Sequence, residues 1–136
     1  MYKKVMVAID GGETTKQALI EAEHVTNTYN AALCIVHVVD SNSKEEKENG
    51  AEILAASKLS VSTLNVETRL LEAQSEYGLN GIISAIATAT VDWEADLLVV
   101  GTANRRGLKR FVVGSVAEQI ITEVSCSVLL VRPQSA

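Results

Sequence analysis

The residues best suited to chemistry in this chain lie between positions 101 and 116. Gly101 ends an apolar run, and Gly114 and Ser115 open a helical pattern. The polar loop between them carries four cationic side chains, Arg105, Arg106, Lys109 and Arg110. Glycines let a backbone approach a ligand closely, and the exposed N–H groups at a helix start favour an anion. The loop therefore has the residue types that bind a phosphate group.

The same residues allow a second interpretation. Ser115 and Glu118 have the spacing of a capping box, glycine commonly ends a strand, and cationic loop residues are usually solvated. The formal net charge of the chain is -5, so the positive charge of this loop runs against the charge of the whole. The residues alone leave a phosphate site and a capped surface helix as open alternatives.

Other known chemistries find little support in the sequence. The chain has no G-x-x-x-x-G-K-[S/T] motif, and the turn at residues 10–12 lacks the G-x-G-x-x-G of a dinucleotide site. No nucleophile with its base can be assigned, and no carboxylate pair is directed at the phosphates. Cys34 and Cys126 are expected to be buried thiols, and His37 a core histidine. The pattern favours binding over turnover.

Apolar periodicity predicts an alternation of strands and helices along the chain. Buried strands alternating with helical crossovers give a doubly wound, five-stranded parallel sheet with helices on both faces, an α/β fold. The length of 136 residues suits a single domain over residues 1–136. The predicted strands are Val5–Ile9, Ala32–Val39, Val66–Leu71, Leu97–Val100 and Ser127–Arg132. Helices are predicted over residues 14–29, 46–63 and 79–91 and from Ser115 onward.

The composition restricts the partners of the chain. Charged residues make up 21% and hydrophobic residues 47% of it, and the sequence pI is about 5.0. An acidic balance gives no support for nucleic-acid or anionic-membrane binding. No apolar run reaches the roughly 18 to 20 residues that a membrane span needs, and the first residues lead directly into a strand. We therefore expect a cytoplasmic protein with no membrane and no nucleic-acid partner.

From Gly101 to Ser115 the sequence resembles the nucleotide-binding motif of the universal stress protein (UspA) family, G-x2-G-x9-G-[S/T]. The resemblance extends over nearly the whole chain, through the segments Lys4–Asp10, His37–Asp40 and Cys126–Arg132. One motif position differs, because Asn104 stands where the family usually has glycine. Asparagine tolerates a left-handed conformation better than most residues, which suits a turn at this position.

The resemblance implies a strand order of 3-2-1-4-5 and a ligand at the point where that order reverses. By resemblance, Asp10 and Gly11 line the adenosine end, Val38 packs near the adenine and Val100 borders the pocket. Arg105 or Arg106 is expected to close over the terminal phosphate. The residues expected to hold the ribose and phosphates are Gly101, Asn104, Gly114, Ser115 and Val116.

The resemblance also implies a function, which is an ATP-binding stress-response or signalling module. The family pairs its last strand across a two-fold axis, so a homodimer is expected through Val128–Val131. Two alternatives stay open. Asn104 favours the first, a nucleotide-free relative that acts through its dimer and protein partners. The second is a slow ATP hydrolase. The sequence does not decide whether AMP, ADP or ATP is bound, or whether Mg²⁺ accompanies it.

Overall fold

The computed structural model of the chain describes residues 1–101 and 119–132, and their side chains except at residues 13 and 14. Within these residues the strands are β1 (Lys4–Ala8), β2 (Ala32–Asp40), β3 (Val66–Ala73), β4 (Leu97–Gly101) and β5 (Ser127–Val131). The helices are α1 (Glu13–Tyr29), α2 (Lys44–Ser60) and α3 (Gly78–Trp93), and residues 119–123 are also helical. The five described strands form one parallel sheet in the order β3-β2-β1-β4-β5. The predicted fold class and strand order are confirmed.

β1 lies at the centre of the sheet, paired with β2 on one side and β4 on the other. Its residues Val5, Met6 and Val7 have no exposed surface. Their side chains alternate between two hydrophobic cores. One core contains the inner faces of α1 and α2, and the other contains α3 and residues from the segment 119–124. A run of consecutive apolar residues, without polar alternation, is what burial on both faces requires.

The helix boundaries differ from the predicted ones because the caps lie elsewhere. α1 begins at Glu13 with Gly12 as its N-cap, not at Thr14. α2 begins at Lys44, two residues before the predicted start, because the Ser43 side chain accepts the N–H of Glu46. α3 continues to Trp93, two residues beyond the prediction, and ends at a left-handed residue.

Side-chain contacts tie together the amino ends of the strands. The Asp96 carboxylate accepts the backbone N–H groups of Lys3 and Lys4, at 2.8 and 3.1 Å. The Lys4 ammonium donates to the Trp93 carbonyl at 2.7 Å and lies over the indole ring. The indole N–H donates to Glu67 on β3 at 2.9 Å. This edge of the sheet is therefore closed by contacts within the chain.

Both cysteines are free thiols, as predicted. Cys34 is fully buried on β2, and Cys126 is half-buried before β5. Burial raises the pKa of the Cys34 thiol to about 12 and also raises the pKa of the Cys126 thiol. A raised pKa keeps a thiol protonated at neutral pH and opposes its use as a nucleophile. In the part of the chain that the structure describes, no helix is both long and apolar enough to cross a membrane.

Gly50 sets the distance between α2 and the sheet. A Cβ atom at this position would lie 2.8 Å from Leu70 Cδ1, 2.8 Å from Val39 Cγ1 and 3.0 Å from His37 Cδ2. A glycine near a helix start is expected to weaken the helix. Here the missing side chain lets the helix pack directly onto β2 and β3.

Replacing Gly50→Ala is expected to lower the free energy of unfolding by about 1 to 3 kcal/mol, because the added methyl overpacks the interface. Denaturant unfolding measures this change. Ala55→Gly, at an exposed position of the same helix, measures only the difference in helix propensity between alanine and glycine. It should lower the free energy of unfolding by about 1 kcal/mol. A Gly50→Ala variant more stable than the wild type would contradict the close packing.

Candidate functional site at the carboxyl ends of the strands

The ladder between β1 and its neighbours ends early on the carboxyl side. Ala8 is the last residue of β1 and lies opposite Val36 on β2 and Val100 on β4. One further bond joins the Ile9 N–H to the Val36 carbonyl at 2.9 Å. β2 continues for several residues beyond this point. We call this region the switch-point edge, defined by Ile9, Asp10, Gly11, Val38, Val100 and Gly101.

The backbone of Val38 faces the switch-point edge. The Val36 carbonyl is directed at β1, and backbone groups two residues apart in a strand point to the same side. The N–H and C=O of Val38 therefore also point toward β1. Within residues 1–101 and 119–132, the ladder of β1 does not reach Val38. The Val38 N–H donor and C=O acceptor thus lie side by side at the switch-point edge.

Asp10 shapes the turn that follows β1. Its Oδ1 atom accepts the N–H of Gly12 at 2.8 Å and the hydroxyl of Thr15 at 3.0 Å. Gly11 has a φ of 87°, and a Cβ there would lie 3.2 Å from Ile53 Cδ1. Asp10 is exposed to solvent. Asp10 therefore forms the turn through Oδ1, and within the described chain its Oδ2 atom has no hydrogen-bond partner.

A cavity of about 240 Å³ lies beside Val38, between the carboxyl ends of β2 and β3. Sequence reasoning missed the residues that close it, Gln74, Ser75 and Ile82, because they fall in and after a connecting loop. Asp40 and Glu46 also line it, and Glu46 Oε1 accepts the Asp40 N–H at 3.1 Å. Two carboxylates at its rim make this cavity unsuitable for a phosphate and better suited to a neutral base.

The structure brings together five of the predicted site residues, which are Asp10, Gly11, Val38, Val100 and Gly101. All follow or end strands β1, β2 and β4. The predicted phosphate-end residues Asn104, Arg105, Gly114, Ser115 and Val116 lie outside the described residues, as do Arg106, Lys109 and Arg110. Among the described residues, no group of three or more His, Cys, Asp or Glu side chains could hold a metal ion.

A larger cleft of about 630 Å³ lies between β3 and α3. None of the predicted site residues that the structure describes lines it. Its lining is mixed, with Arg69, Tyr77 and Asp92 around an apolar floor that includes Leu71. The smaller cavity is lined by a predicted site residue, Val38, and lies one strand away from the point between β1 and β4 where the strand order reverses.

Comparison with known proteins identifies close sequence relatives. A sequence profile of the universal stress protein family matches residues 1–132. A protein of Staphylococcus saprophyticus named for this family is 33% identical over 148 aligned positions, covering 98% of this chain and 85% of that protein. A relative from Staphylococcus epidermidis, also named for the family, is 32% identical, covering 98% of this chain and 86% of its own length.

Solved structures share the fold. A universal stress protein in complex with cAMP matches with a TM-score of 0.79 and 20% identity, covering 98% of this chain and 99% of its own. The universal stress protein of Archaeoglobus fulgidus in complex with dAMP matches with a TM-score of 0.72 and 20% identity, covering 96% and 98%. At this identity the likeness establishes the fold alone.

Replacing Asp10→Ala is expected to lower the free energy of unfolding by about 1 kcal/mol, since the Gly12 N–H loses its acceptor at the start of α1. Asp10→Asn should retain most of the stability, because the amide oxygen still accepts. Denaturant unfolding compares the two, with Asp92→Ala on the exposed face of α3 as the control. Equal stability of Asp10→Ala and the wild type would show that the carboxylate does not hold the turn.

Proposed function

Because the chain belongs to the universal stress protein family, we propose that it is a stress-response module that binds ATP at the switch-point edge. The observation that carries this proposal is the backbone of Val38. Its N–H and C=O face the crevice where β1 has ended, beside a cavity of about 240 Å³. In open parallel sheets, ligands bind at this kind of position.

The adenine base enters beside Val38 in this proposal. The Val38 N–H donates to adenine N1, and its C=O accepts from the exocyclic amino group. Guanine has the reversed arrangement, a donor at N1 and an acceptor at O6. A site with a fixed donor and acceptor rejects a base whose groups are reversed, because both backbone groups then lose their partners. The proposal therefore includes a preference for adenine over guanine.

The sugar and phosphates extend away from the carboxylates that line the cavity. Asp10 accepts from a ribose hydroxyl through Oδ2, while its Oδ1 keeps the turn in place. The phosphates reach the segment from Gly101 to Val116, where the motif glycines, the Ser115 hydroxyl and the cations supply donors. Charge supports this direction, since Asp40 and Glu46 lie at the base end.

The neighbours of known structure support an adenine nucleotide in general. One is in complex with cAMP and another with dAMP. Adenine and a phosphate are common to these two ligands. ATP, with Mg²⁺ as an accompanying ion, is our extension to this chain, because the basic loop offers four cations to a polyphosphate.

One specific residue favours a second function. Asn104 replaces the motif glycine, and its side chain would narrow the space for the phosphates. A nucleotide-free relative that acts through its dimer and protein partners is therefore the alternative. Hydrolysis of ATP is not proposed, because no general base is assigned near the phosphate end.

We also propose a homodimer through β5. Because Ile9 donates its N–H to β2, the even-numbered residues of β1 face β4, and in the observed register Leu98 and Val100 of β4 therefore face β5. The N–H groups of Val128 and Leu130 then point to the open side of β5. Leu130 is 37% exposed. An apolar edge strand of this kind favours pairing with another strand.

Nucleotide binding is tested first on protein purified without added nucleotide. After denaturation, the supernatant is expected to contain an adenine nucleotide, separated by ion-exchange chromatography and detected by ultraviolet absorbance. Added Mg-ATP should raise the melting temperature of protein from which the nucleotide has been removed. At an ATP concentration of 100 times Kd, the native state should gain about 2.7 kcal/mol. GTP should raise the melting temperature much less.

The matched variants locate the site. Gly114→Val should abolish the shift with ATP, because a side chain blocks the phosphate approach. Ala55→Val, on the exposed face of α2, should keep it. An empty wild type that shows no shift with ATP would favour the nucleotide-free alternative.

Replacing Leu130→Pro is expected to convert the dimer to a monomer, because proline removes an outward N–H but leaves the bonds to β4. Size-exclusion chromatography with light scattering measures the mass. Leu130→Ala removes apolar area but keeps the N–H, so it should remain largely dimeric. A dimeric Leu130→Pro protein, or a monomeric wild type, would refute pairing through β5.

A further inference from the structure

His37 makes a polar contact that its apolar strand does not suggest. Its Nδ1 atom lies 2.7 Å from the carbonyl oxygen of Ile9, at the end of β1. A carbonyl oxygen can only accept, so Nδ1 carries the hydrogen and donates it. The ring is half-buried on β2, between the strand and α2. The side chain of one strand thus bonds to the backbone of the next.

This contact occupies the position of the next bond in the ladder. After the Ile9 N–H bonds to Val36, a regular parallel ladder continues with a bond from the Val38 N–H to the Ile9 carbonyl. In the described chain, the His37 imidazole donates to that carbonyl instead. The two strands therefore separate one bond earlier than the length of β2 would allow.

The packing of α2 restricts the orientation of the imidazole. A Cβ atom at Gly50 would come within 3.0 Å of His37 Cδ2, and within 2.8 Å of Val39 Cγ1. The ring therefore lies directly against the backbone of the helix. Close packing of this kind limits the ring to few rotamers and directs Nδ1 at Ile9.

We propose that His37 is a positioning residue of the nucleotide site, which holds the Ile9 carbonyl and so leaves the Val38 backbone open to the adenine base. This inference rests on the proposed function. His37 does not touch the nucleotide. It acts by ending the ladder at Ile9 and by fixing the residue from which the Asp10 turn begins.

Removal of the imidazole donor has a specific structural consequence. The Ile9 carbonyl would be left without its partner, and an unsatisfied carbonyl beside a free N–H forms a hydrogen bond if the backbone can adjust. The Val38 N–H would then bond to Ile9, and the ladder would extend by one bond. The base would lose its donor even though the fold is kept.

Three variants test this inference. His37→Leu removes the donor. His37→Asn keeps one, because the asparagine amide nitrogen occupies nearly the same position as Nδ1. His24→Leu, at an exposed position of α1, is the control for loss of a histidine. Calorimetry with Mg-ATP should give about tenfold weaker binding for His37→Leu, from the lost hydrogen bond, and nearly wild-type binding for the other two.

Amide hydrogen exchange of the nucleotide-free proteins gives a readout that does not depend on ligand. In His37→Leu the exchange of the Val38 amide should slow at least several-fold, because it gains the Ile9 carbonyl as acceptor. A purely structural role for the imidazole would instead speed exchange along β2, Val38 included. His37→Asn should leave the Val38 amide as in the wild type.

The outcomes separate the inference from the proposed function. If the wild type binds ATP and His37→Leu binds it equally well, the positioning role is refuted. Faster exchange of Val38 in His37→Leu would refute the ladder argument. If the wild type does not bind ATP, the proposed function fails and the positioning role with it, whereas the exchange result still decides whether His37 ends the ladder.

Discussion

The burial of β1 is the constraint on which the rest of the structure depends. Val5, Met6 and Val7 are covered by β2 and β4 at their edges and by helical layers on both faces. The chain leaves β1 through α1 toward one side of the sheet and returns through α3 to its other side. Because the connections diverge, no connection within the described residues covers the carboxyl end of β1. The topology that buries the central strand thus also leaves an opening beside it.

The two ends of the sheet satisfy their polar groups in different ways. At the amino ends, Asp96 and Trp93 bond across strands to Lys4 and hold the strands together. Beyond the last bond of the ladder, from the Ile9 N–H to Val36, the bonds at the carboxyl end of β1 are local to the turn or come from a side chain, as with Asp10 and His37. Turn bonds and side-chain bonds satisfy backbone N–H and C=O groups without pairing a further residue of one strand with the next. They keep the carboxyl end ordered and still accessible to a ligand.

Sequence reasoning predicted the positions of those candidate site residues that lie at strand ends. Asp10, Val38 and Gly101 each follow or end an apolar run, and strand order alone brings them to one edge. Sequence reasoning could not predict the contact of His37 with Ile9. The two residues are 28 positions apart, and their contact depends on the register between β1 and β2. The sequence also could not predict the role of Gly50, which by helix propensity only weakens α2. Its close neighbours on β2 and β3 depend on how the helix packs on the sheet. The residues that close the cavity beside Val38 lie in and after a loop without periodicity.

Recognition through the backbone explains how such a site tolerates sequence change. In the proposed mode, the Val38 peptide groups read the base and the N–H groups near Gly114 hold the phosphates, so most side chains only need to preserve backbone shape. Relatives that are about one-third identical can then share a site as well as a fold. By this argument, Asn104 matters through the conformation it permits more than through its chemistry. Asparagine is among the few residues that adopt the left-handed conformation at modest cost, so the turn can keep its shape with asparagine in place of glycine.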